Sequence, residues 1–233
     1  MKTEIYTGTG ELIKDYDDWK NKYHSGKDGH SAWEFGKFIF NQEGLNKIQN
    51  VIEKSIGEDV NFDKVFIEKG VKFDEYQRES QRDMVIQGET AKGRKVFITI
   101  EAKVAETFGG TIKSELHAAK KYLEKHSKSK RAERIKNIYT KLLGSKGDIE
   151  NSELRYQLFH AAASTAHETS NIGIMLIVEL LSDSVNKRSL QRNKDDFKAF
   201  MDALHAIELQ NTDYVTYDTK IMDKTIRCIY AEF

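Results

Sequence analysis

Hydrophobic positions along the chain repeat with two different spacings. Apolar residues recur at helical spacing in some segments, which predicts helices, and they alternate or form short runs in others, which predicts strands. The predicted helices lie at about 33–39, 45–56, 110–126, 131–143, 152–168 and 190–208. The predicted strands lie at 64–68, 81–87, 95–104, 172–180, 214–217 and 226–233. Residues 1–30 are rich in Gly, Asp and Lys, and we expect a strand or loop that leads inward.

The order of these elements indicates the fold class. The chain begins with helices and continues with three strands, further helices, one strand and an α/β tail. This order predicts an α/β protein with a mixed sheet flanked by helices. The 233 residues suit a single domain with a full core. The chain has no proline, so Gly, Asn, Asp and Ser must build its turns, and a Pro-rich linker is excluded.

Charge and cysteine content limit the classes of partner and the compartment. The chain has 37 basic and 37 acidic residues, so any basic surface that attracts nucleic acid must be local. The single cysteine, Cys228, cannot form a disulfide within the chain, which fits a reducing compartment. The longest apolar run, 172–178, is too short to cross a bilayer, and the N-terminus carries no apolar signal core. We therefore expect a cytoplasmic protein without membrane association.

The predicted hairpin at 81–104 carries the most informative polar residues. Alternation along its second strand separates an apolar face from a face with Glu101 and Lys103. The apolar face consists of Val96, Ile98, Ile100 and Ala102. A hairpin centred on residue 92 places Asp83 opposite Glu101, on the same face. Because these polar residues lie off the apolar face, we expect their replacement to leave folding nearly intact.

Two opposed carboxylates repel each other unless a cation lies between them. Asp83 and Glu101 offer the hard oxygen ligands that Mg²⁺ or Mn²⁺ prefers. A bound metal acidifies its water and neutralises the charge of a phosphate, and Lys103 could orient that water or stabilise developing negative charge. The residues alone therefore predict a metal-dependent phosphate chemistry at this hairpin, with the alternative that it is an exposed sheet face on which these charged residues occur by chance.

Three ordered motifs connect the hairpin to a known family. They are S-Q-x-D at Ser80–Asp83, E-x-K-x-x-E-x-F-G at Glu101–Gly109 and L-R-Y-Q-L at Leu154–Leu158, and Gly29–Glu34 is similar to the family's opening helix. This set resembles an uncharacterised bacterial family within the PD-(D/E)XK nuclease superfamily. The resemblance covers about residues 29–180 and departs at Arg82, where many members of the superfamily have proline.

The resemblance implies a restriction-endonuclease-like α-β-β-β-α-β core at about 29–180 and a C-terminal helix-plus-strand extension at 185–233. It implies that Asp83 and Glu101 bind Mg²⁺ or Mn²⁺ with the carbonyl of Ala102, and that Lys103 is the catalytic lysine. It also suggests Glu34 as an additional metal ligand and Gln157 as a catalytic-site glutamine.

Plainer roles remain open for several of these polar residues. Glu34 could instead belong to a capping box that starts at Ser31, and Gln157 could be a polar residue of a helix surface. Glu106 is expected to organise the turn that follows the strand, rather than to bind metal. His160 is expected to be a packing or surface group.

A local excess of positive charge follows the motif strand. Between residues 113 and 146 there are 11 basic and 3 acidic residues, a net charge of +8. Such a stretch beside a metal site suits phosphate-backbone binding, although Lys-rich helix faces are usually only solvated. The candidate nucleic-acid contacts are Lys120, Lys121, Lys128, Lys130 and Arg131.

These observations together predict a metal-dependent nuclease that hydrolyses phosphodiesters of nucleic acid, DNA in preference to RNA. The alternative is a non-catalytic nucleic-acid-binding or protein-interaction module that retains the nuclease fold. A structural or regulatory component of a phage or defence system would overlap with both. A homodimer is left open, as are the site preference and the mode of cleavage.

Overall fold

A computed structural model describes residues 3–22, 31–104, 106–144, 147–181, 187–210 and 214–233. The strands in these ranges are β1 (Ile5–Thr7), β2 (Leu12–Ile13), β3 (Val60–Val71), β4 (Ser80–Thr90), β5 (Lys95–Lys103), β6 (Ile172–Glu179), β7 (Ile207–Leu209), β8 (Val215–Ile221) and β9 (Lys224–Glu232). The helices are α1 (Tyr16–Lys22), α2 (Ser31–Phe40), α3 (Gln42–Ile56), α4 (Ile112–Lys125), α5 (Arg131–Leu143), α6 (Tyr156–Glu168) and α7 (Lys187–Ala203).

The strands form one mixed sheet in the order β2-β1-β3-β4-β5-β6-β9-β8-β7. Its centre is built from the antiparallel strands β3, β4 and β5, followed by β6 and β9, which run parallel to β5. The predicted α/β class, with a mixed sheet flanked by helices, is confirmed. The predicted C-terminal extension supplies strands to this same sheet, with β9 directly beside β6.

Each face of the sheet has its own hydrophobic core. One core lies under α1, α2 and α3 and includes Trp19, Phe35 and Ile98. The other lies under α4–α7 and includes Phe159 and Phe200. The even-numbered residues of β5 belong to the first core, and its odd-numbered residues lie on the opposite face, towards α6. On that face, the hydroxyls of Thr99 in β5 and Thr165 in α6 are 2.5 Å apart. Alternation along β5 therefore presents its polar positions to the side of the sheet covered by α6.

The β4–β5 hairpin has the register that the sequence predicts. Met84 pairs with Ile100, and the remaining pairs follow from the same centre at residue 92. The turn closes through a hydrogen bond from the Gly93 amide to the Thr90 carbonyl at 2.9 Å. Gly93 has φ of 77°, a left-handed conformation that glycine adopts without steric cost, so this residue helps to fix the register.

Several element boundaries differ from the predictions. The N-terminal region contains β1, β2 and α1, whose short lengths give too little periodicity to detect. The helix α6 begins at Tyr156 and not at about 152, because Arg155 is extended and bridges to Thr111, and a 3₁₀ turn at Ile149–Asn151 lies before this segment. Near the C-terminus, α7 ends before His205, whose left-handed φ of 52° interrupts the helix.

Some predicted positions fall in parts of the chain that are not described. These are Gly29 and His30 of the opening motif, Ala105 of the second motif, Lys146 of the basic stretch, and the first two residues of the extension, 185 and 186. Among the described residues, no helix combines the length and apolar character that crossing a bilayer requires.

Candidate functional site

The candidate site lies where β4 and β5 separate. Main-chain pairing between these strands ends at Met84 and Ile100, while β5 continues beside β6 as far as Lys103. Beyond that point, the main-chain N–H of Ala102 donates a hydrogen bond of 2.7 Å to Oδ2 of Asp83. The side chain of Asp83 thus holds the two strands together where their ladder has stopped.

The side-chain alternation of β4 breaks at Asp83. On its N-terminal side, Arg82 contacts Glu101 on the α6 face, whereas Met84 packs in the opposite core. Glu68, whose neighbours Ile67 and Lys69 pair with Met84 and Arg82, has a left-handed φ of 55°. The prediction that Asp83 and Glu101 directly oppose each other is therefore wrong. Asp83 lies where the side chains of β4 change face, and it bonds to the main chain of β5.

Glu101 is the centre of the group. It is buried, with 3 % of its surface exposed. Its Oε2 accepts a hydrogen bond from Nη1 of Arg82 at 3.0 Å, and its Oε1 accepts from Nζ of Lys103 at 3.2 Å. The side-chain amide of Gln157 donates to the same Oε1. Two cations and one amide therefore satisfy a single buried carboxylate.

Lys103 is a buried cation held among acidic groups. It is 4 % exposed, and its Nζ is 3.8 Å from Oε1 of Glu106 and 5.6 Å from the ring centroid of Phe108. Burial on its own lowers the pKa of Lys103, but Glu101, Asp83 and Glu106 outweigh that effect and raise this pKa above its ordinary value. Lys103 therefore remains an ammonium at neutral pH.

Asp83 is a carboxyl group whose charged form is disfavoured by its surroundings. Burial raises its pKa well above the ordinary value, and the charge of Glu101 raises it further, while Lys103 and the Ala102 N–H act against this shift. The neighbouring Glu68 also raises the pKa of Asp83. Its Oδ1 has no hydrogen-bond partner among the described residues. Asp83 is thus a carboxyl group that an additional cation would stabilise in its charged form.

A second polar chain extends from Arg82. Its Nη2 donates to Oγ of Ser80 at 2.9 Å, and that Oγ lies 2.8 Å from Nδ1 of His160 on α6. If Ser80 donates its hydroxyl proton to Nδ1, every hydroxyl contact is satisfied and the imidazole proton lies on Nε2. Burial, and secondarily the charge of Arg82, lowers the pKa of His160 to about 3, so the ring is neutral. His160 is therefore part of the polar network and not a surface group.

Gln157 reaches the site because α6 is anchored at its first turn. Nη1 of Arg155 donates to the carbonyl of Gly109 at 2.7 Å, and its Nε donates to Asp196 at the same distance. These bonds tie the start of α6 to the segment that follows β5 and to α7. The third motif thus brings Gln157 to Glu101, together with the residues of the other two motifs.

Glu34 does not join this group. It lies on α2, and its Oε1 accepts a hydrogen bond of 2.8 Å from Lys37. The core that α2 covers is on the side of the sheet opposite to α6. In the part of the chain that the structure describes, no three His, Cys, Asp or Glu residues are grouped so that they could hold a metal ion. Of the three carboxylates that the motifs suggest as metal ligands, only Asp83 and Glu101 therefore lie at β5.

A fully buried carboxyl supports Lys103 from the next strand. Glu179 pairs with Lys103 in the β5–β6 register and accepts hydrogen bonds of 2.9 Å from Asn193 and from the Tyr230 hydroxyl. Asn193 also donates to the main-chain carbonyl of Glu106 at 2.8 Å. Burial raises the pKa of Glu179 despite these two donors. This cluster connects β6, β9 and α7 to the segment that covers Lys103.

Sequence reasoning assigned no site role to several residues of these networks, among them Ser80, Arg82, His160 and Glu179. Ser80 and Arg82 lie within the first motif, but Arg82 was noted there only as a departure from proline. One signal was available: His160 follows Gln157 by three residues, which places both on the same face of a helix. The cross-strand contacts of Arg82 had no comparable local signature.

The five candidate nucleic-acid contacts fall into two groups. Lys120 forms an ion pair with Glu150, and Arg131 forms one with Glu115. The remaining three are exposed, and none forms an ion pair within the described ranges; they are Lys121, Lys128 and Lys130. The basic stretch is thus partly neutralised by its own neighbours.

Comparison with known proteins identifies a family without adding a function. No curated protein and no solved structure matches the chain. The sequence pattern of a domain of unknown function, DUF6946, matches residues 12–232. This match includes all strands from β2 to β9 and every residue of the candidate site. The chain therefore belongs to the DUF6946 family.

Proposed function

We propose that this protein is a metal-dependent phosphodiester hydrolase of the PD-(D/E)XK type that acts on nucleic acid, DNA in preference to RNA. The observation that carries the proposal is the meeting of three separate motifs at one buried carboxylate. Arg82, Lys103 and Gln157 all contact Glu101, and Asp83 bonds to the adjacent residue of β5. The order α3-β3-β4-β5-α4, with β6 parallel to β5, agrees with the core that the superfamily resemblance implies.

The donor groups at this position fit a hard divalent cation. Oδ1 of Asp83 has no hydrogen-bond partner among the described residues, and burial raises the pKa of this carboxyl group. Glu101 is close to Asp83, so these two carboxylates and the Ala102 carbonyl would hold Mg²⁺ or Mn²⁺. Such a cation would neutralise phosphate charge and make its bound water more acidic. Oε1 of Glu101 already accepts two hydrogen bonds, whereas Oε2 accepts one, from Arg82, so Oε2 keeps a lone pair with which Glu101 can become a ligand.

Lys103 and Gln157 have distinct roles in this proposal. The Lys103 ammonium is desolvated and fixed by Glu101, so it can stabilise negative charge that develops on a phosphate oxygen. Gln157 contacts Glu101 and no reacting group, which makes it a positioning residue for that carboxylate. Glu106 and Phe108 cover Lys103 and limit the access of water to it.

A specific observation also favours the non-catalytic alternative. Glu101 and Lys103 are only 3 % and 4 % exposed, and Arg82 supplies the cation that the carboxylates would otherwise need. In a binding module, the same residues would serve as a buried ion network that fixes the packing of α6 on the sheet. The nuclease function requires that a metal and a substrate gain access to this ion network, whereas the function as a binding module does not.

Cleavage assays with matched variants distinguish these functions. Plasmid, linear and single-stranded DNA and RNA are incubated with Mg²⁺ or Mn²⁺, with EDTA as the control. We expect metal-dependent cleavage that falls by about two powers of ten or more in Lys103→Met, the scale of a lost electrostatic stabiliser. Lys95→Met changes the same residue type at the exposed end of β5 and should retain activity.

Two results would contradict the nuclease proposal. Equal cleavage by wild type and Lys103→Met would assign the activity to another site or to a contaminant. Binding of nucleic acid without cleavage of any substrate would support the non-catalytic module. Circular dichroism and thermal unfolding of each variant show whether a loss of activity reflects a loss of fold.

A further inference from the structure

The helices α4 and α5 form a hairpin that is inserted between β5 and α6. Its root is fixed beside the candidate site, because Thr111 at the start of α4 bridges to Arg155 at the start of α6. α4 has 14 residues, which gives a length of about 21 Å at the helical rise per residue. Residues 121–130, which comprise the end of α4 and the connection to α5, are called the hairpin tip below. They lie at the end of α4 that is distant from the root.

The hairpin tip exposes an ordered pair of aromatic rings. The rings of Tyr122 and His126 are stacked, with centroids 3.9 Å apart and planes inclined by 9°. The main-chain N–H of His126 donates to the carbonyls of Tyr122 and Leu123, which holds the pair in place at the end of α4. Tyr122 is 47 % exposed and the adjacent Leu123 is 38 % exposed. This stack buries little surface for the protein itself.

The charges of the tip differ from those nearer the root. Lys113 and Lys120 of α4 form ion pairs with Glu153 and Glu150. The four lysines of the tip are exposed and form no ion pair with any described residue; they are Lys121, Lys125, Lys128 and Lys130. One acidic residue, Glu124, lies among them. The tip therefore combines uncompensated positive charge with an exposed aromatic stack.

We propose that the hairpin tip binds an unpaired segment of the nucleic acid whose phosphodiester is presented to the β5 site, an inference that rests on the proposed function. A base stacks on the exposed side of the Tyr122–His126 pair, and the lysines contact the adjacent phosphates. Stacking needs an accessible base face, which a paired duplex offers only at its ends. The tip thus favours single-stranded substrate over a paired duplex.

Fluorescence anisotropy in EDTA tests this inference without cleavage. The probe is a fluorescein-labelled single-stranded DNA, compared with its duplex and with a strand of the same length that is abasic at every position. We expect Tyr122→Ala to weaken binding of the intact single strand by about five-fold or more, and Tyr122→Phe to bind like wild type. The abasic strand should bind wild type and Tyr122→Ala equally, because it has no base to stack.

Two double variants with the same change in net charge test the lysines. Lys121→Gln/Lys125→Gln should reduce affinity and lower the log–log salt slope by about 1.4, the value for two lost single-strand phosphate contacts. Lys113→Gln/Lys120→Gln removes lysines that are already paired and should leave that slope nearly unchanged. Equal effects of the two double variants, or an equal loss from Tyr122→Ala on the duplex, would overturn the inference.

The outcomes also separate this inference from the function on which it rests. If wild type binds and cleaves nucleic acid but the tip variants bind normally, the tip proposal is wrong and the nuclease proposal stands. If wild type binds none of the oligonucleotides, both proposals are wrong.

Discussion

The carboxylate site and the hairpin tip both concentrate charge, but they satisfy it in different ways. At the site, Glu101 and Lys103 are almost fully buried and each contacts an oppositely charged group. At the tip, Lys121 and Lys125 are exposed and unpaired among the described residues. The difference follows from desolvation, which costs several kcal/mol for a buried ion and almost nothing for an exposed one. Charges at the site therefore contribute to folding, whereas charges at the tip are available to a partner.

The largest expected effect is that of removing the central carboxylate. Glu101→Ala leaves Arg82 and Lys103 buried without their anion, and we expect the free energy of unfolding to fall by about 3–5 kcal/mol. This expectation replaces the sequence-based one of nearly intact folding, which assumed that polar residues off the apolar face are exposed. Urea denaturation measures the change, with Glu89→Ala as the control, because Glu89 is a half-buried carboxylate at the turn end of β4 that pairs with the exposed Lys95. A loss below about 1 kcal/mol would show that the network does not stabilise the fold.

The next effect concerns pH and His160. Its pKa in the folded protein is about 3, against an ordinary value of 6.5, because burial and Arg82 disfavour the imidazolium. A histidine with a lowered folded-state pKa contributes stability that is complete above pH 6.5 and is lost as the pH falls from 6.5 towards 3. Allowing for partial exposure, we expect a loss of about 2–4 kcal/mol across that window in wild type.

The control for this pH effect is His160→Asn, which removes the titrating ring and keeps a side chain that can bond to Ser80. Its free energy of unfolding, measured by urea denaturation in EDTA at each pH, should depend less on pH between 6.5 and 3 than that of wild type. Parallel pH profiles of the two proteins would contradict the buried, neutral assignment of His160.

The smallest effect is expected at the tip. Lys121→Gln/Lys125→Gln should change the free energy of unfolding by no more than about 0.5 kcal/mol, because neither lysine is buried or paired. Urea denaturation of this variant and of Glu101→Ala compares the two losses in the free energy of unfolding. A loss of more than about 1 kcal/mol at the tip would mean that these lysines stabilise the hairpin and are not reserved for a partner.

The sequence was sufficient where short-range rules apply. The β4–β5 register follows from the alternation of Val96, Ile98 and Ile100 and from a turn in which Gly93 adopts a left-handed conformation. The approach of Gln157 to Glu101 was suggested by motif order alone. In each of these cases, a local pattern or a resemblance carried the information.

The sequence was insufficient where side chains distant in the chain meet. The change of face at Asp83 coincides with the left-handed conformation of Glu68 on β3, which no periodicity in β4 reveals. One of the two cations at Glu101 is Arg82, a residue that regular alternation would have placed on the other face of the sheet. Glu34 illustrates the reverse case, in which a motif position pairs with Lys37 instead of approaching the site.

The position of β9 has a consequence for how the protein is made. β9 follows β8 in the sequence, yet it lies between β6 and β8 in the sheet. During synthesis, a nascent chain that ends before residue 224 leaves the whole edge of β6 without a partner, and that strand is an apolar run that can pair with other chains. Tyr230 of β9 also donates to Glu179, the carboxyl behind Lys103. The edge of β6 is thus covered, and the surroundings of Lys103 are completed, only when β9 has emerged and docked.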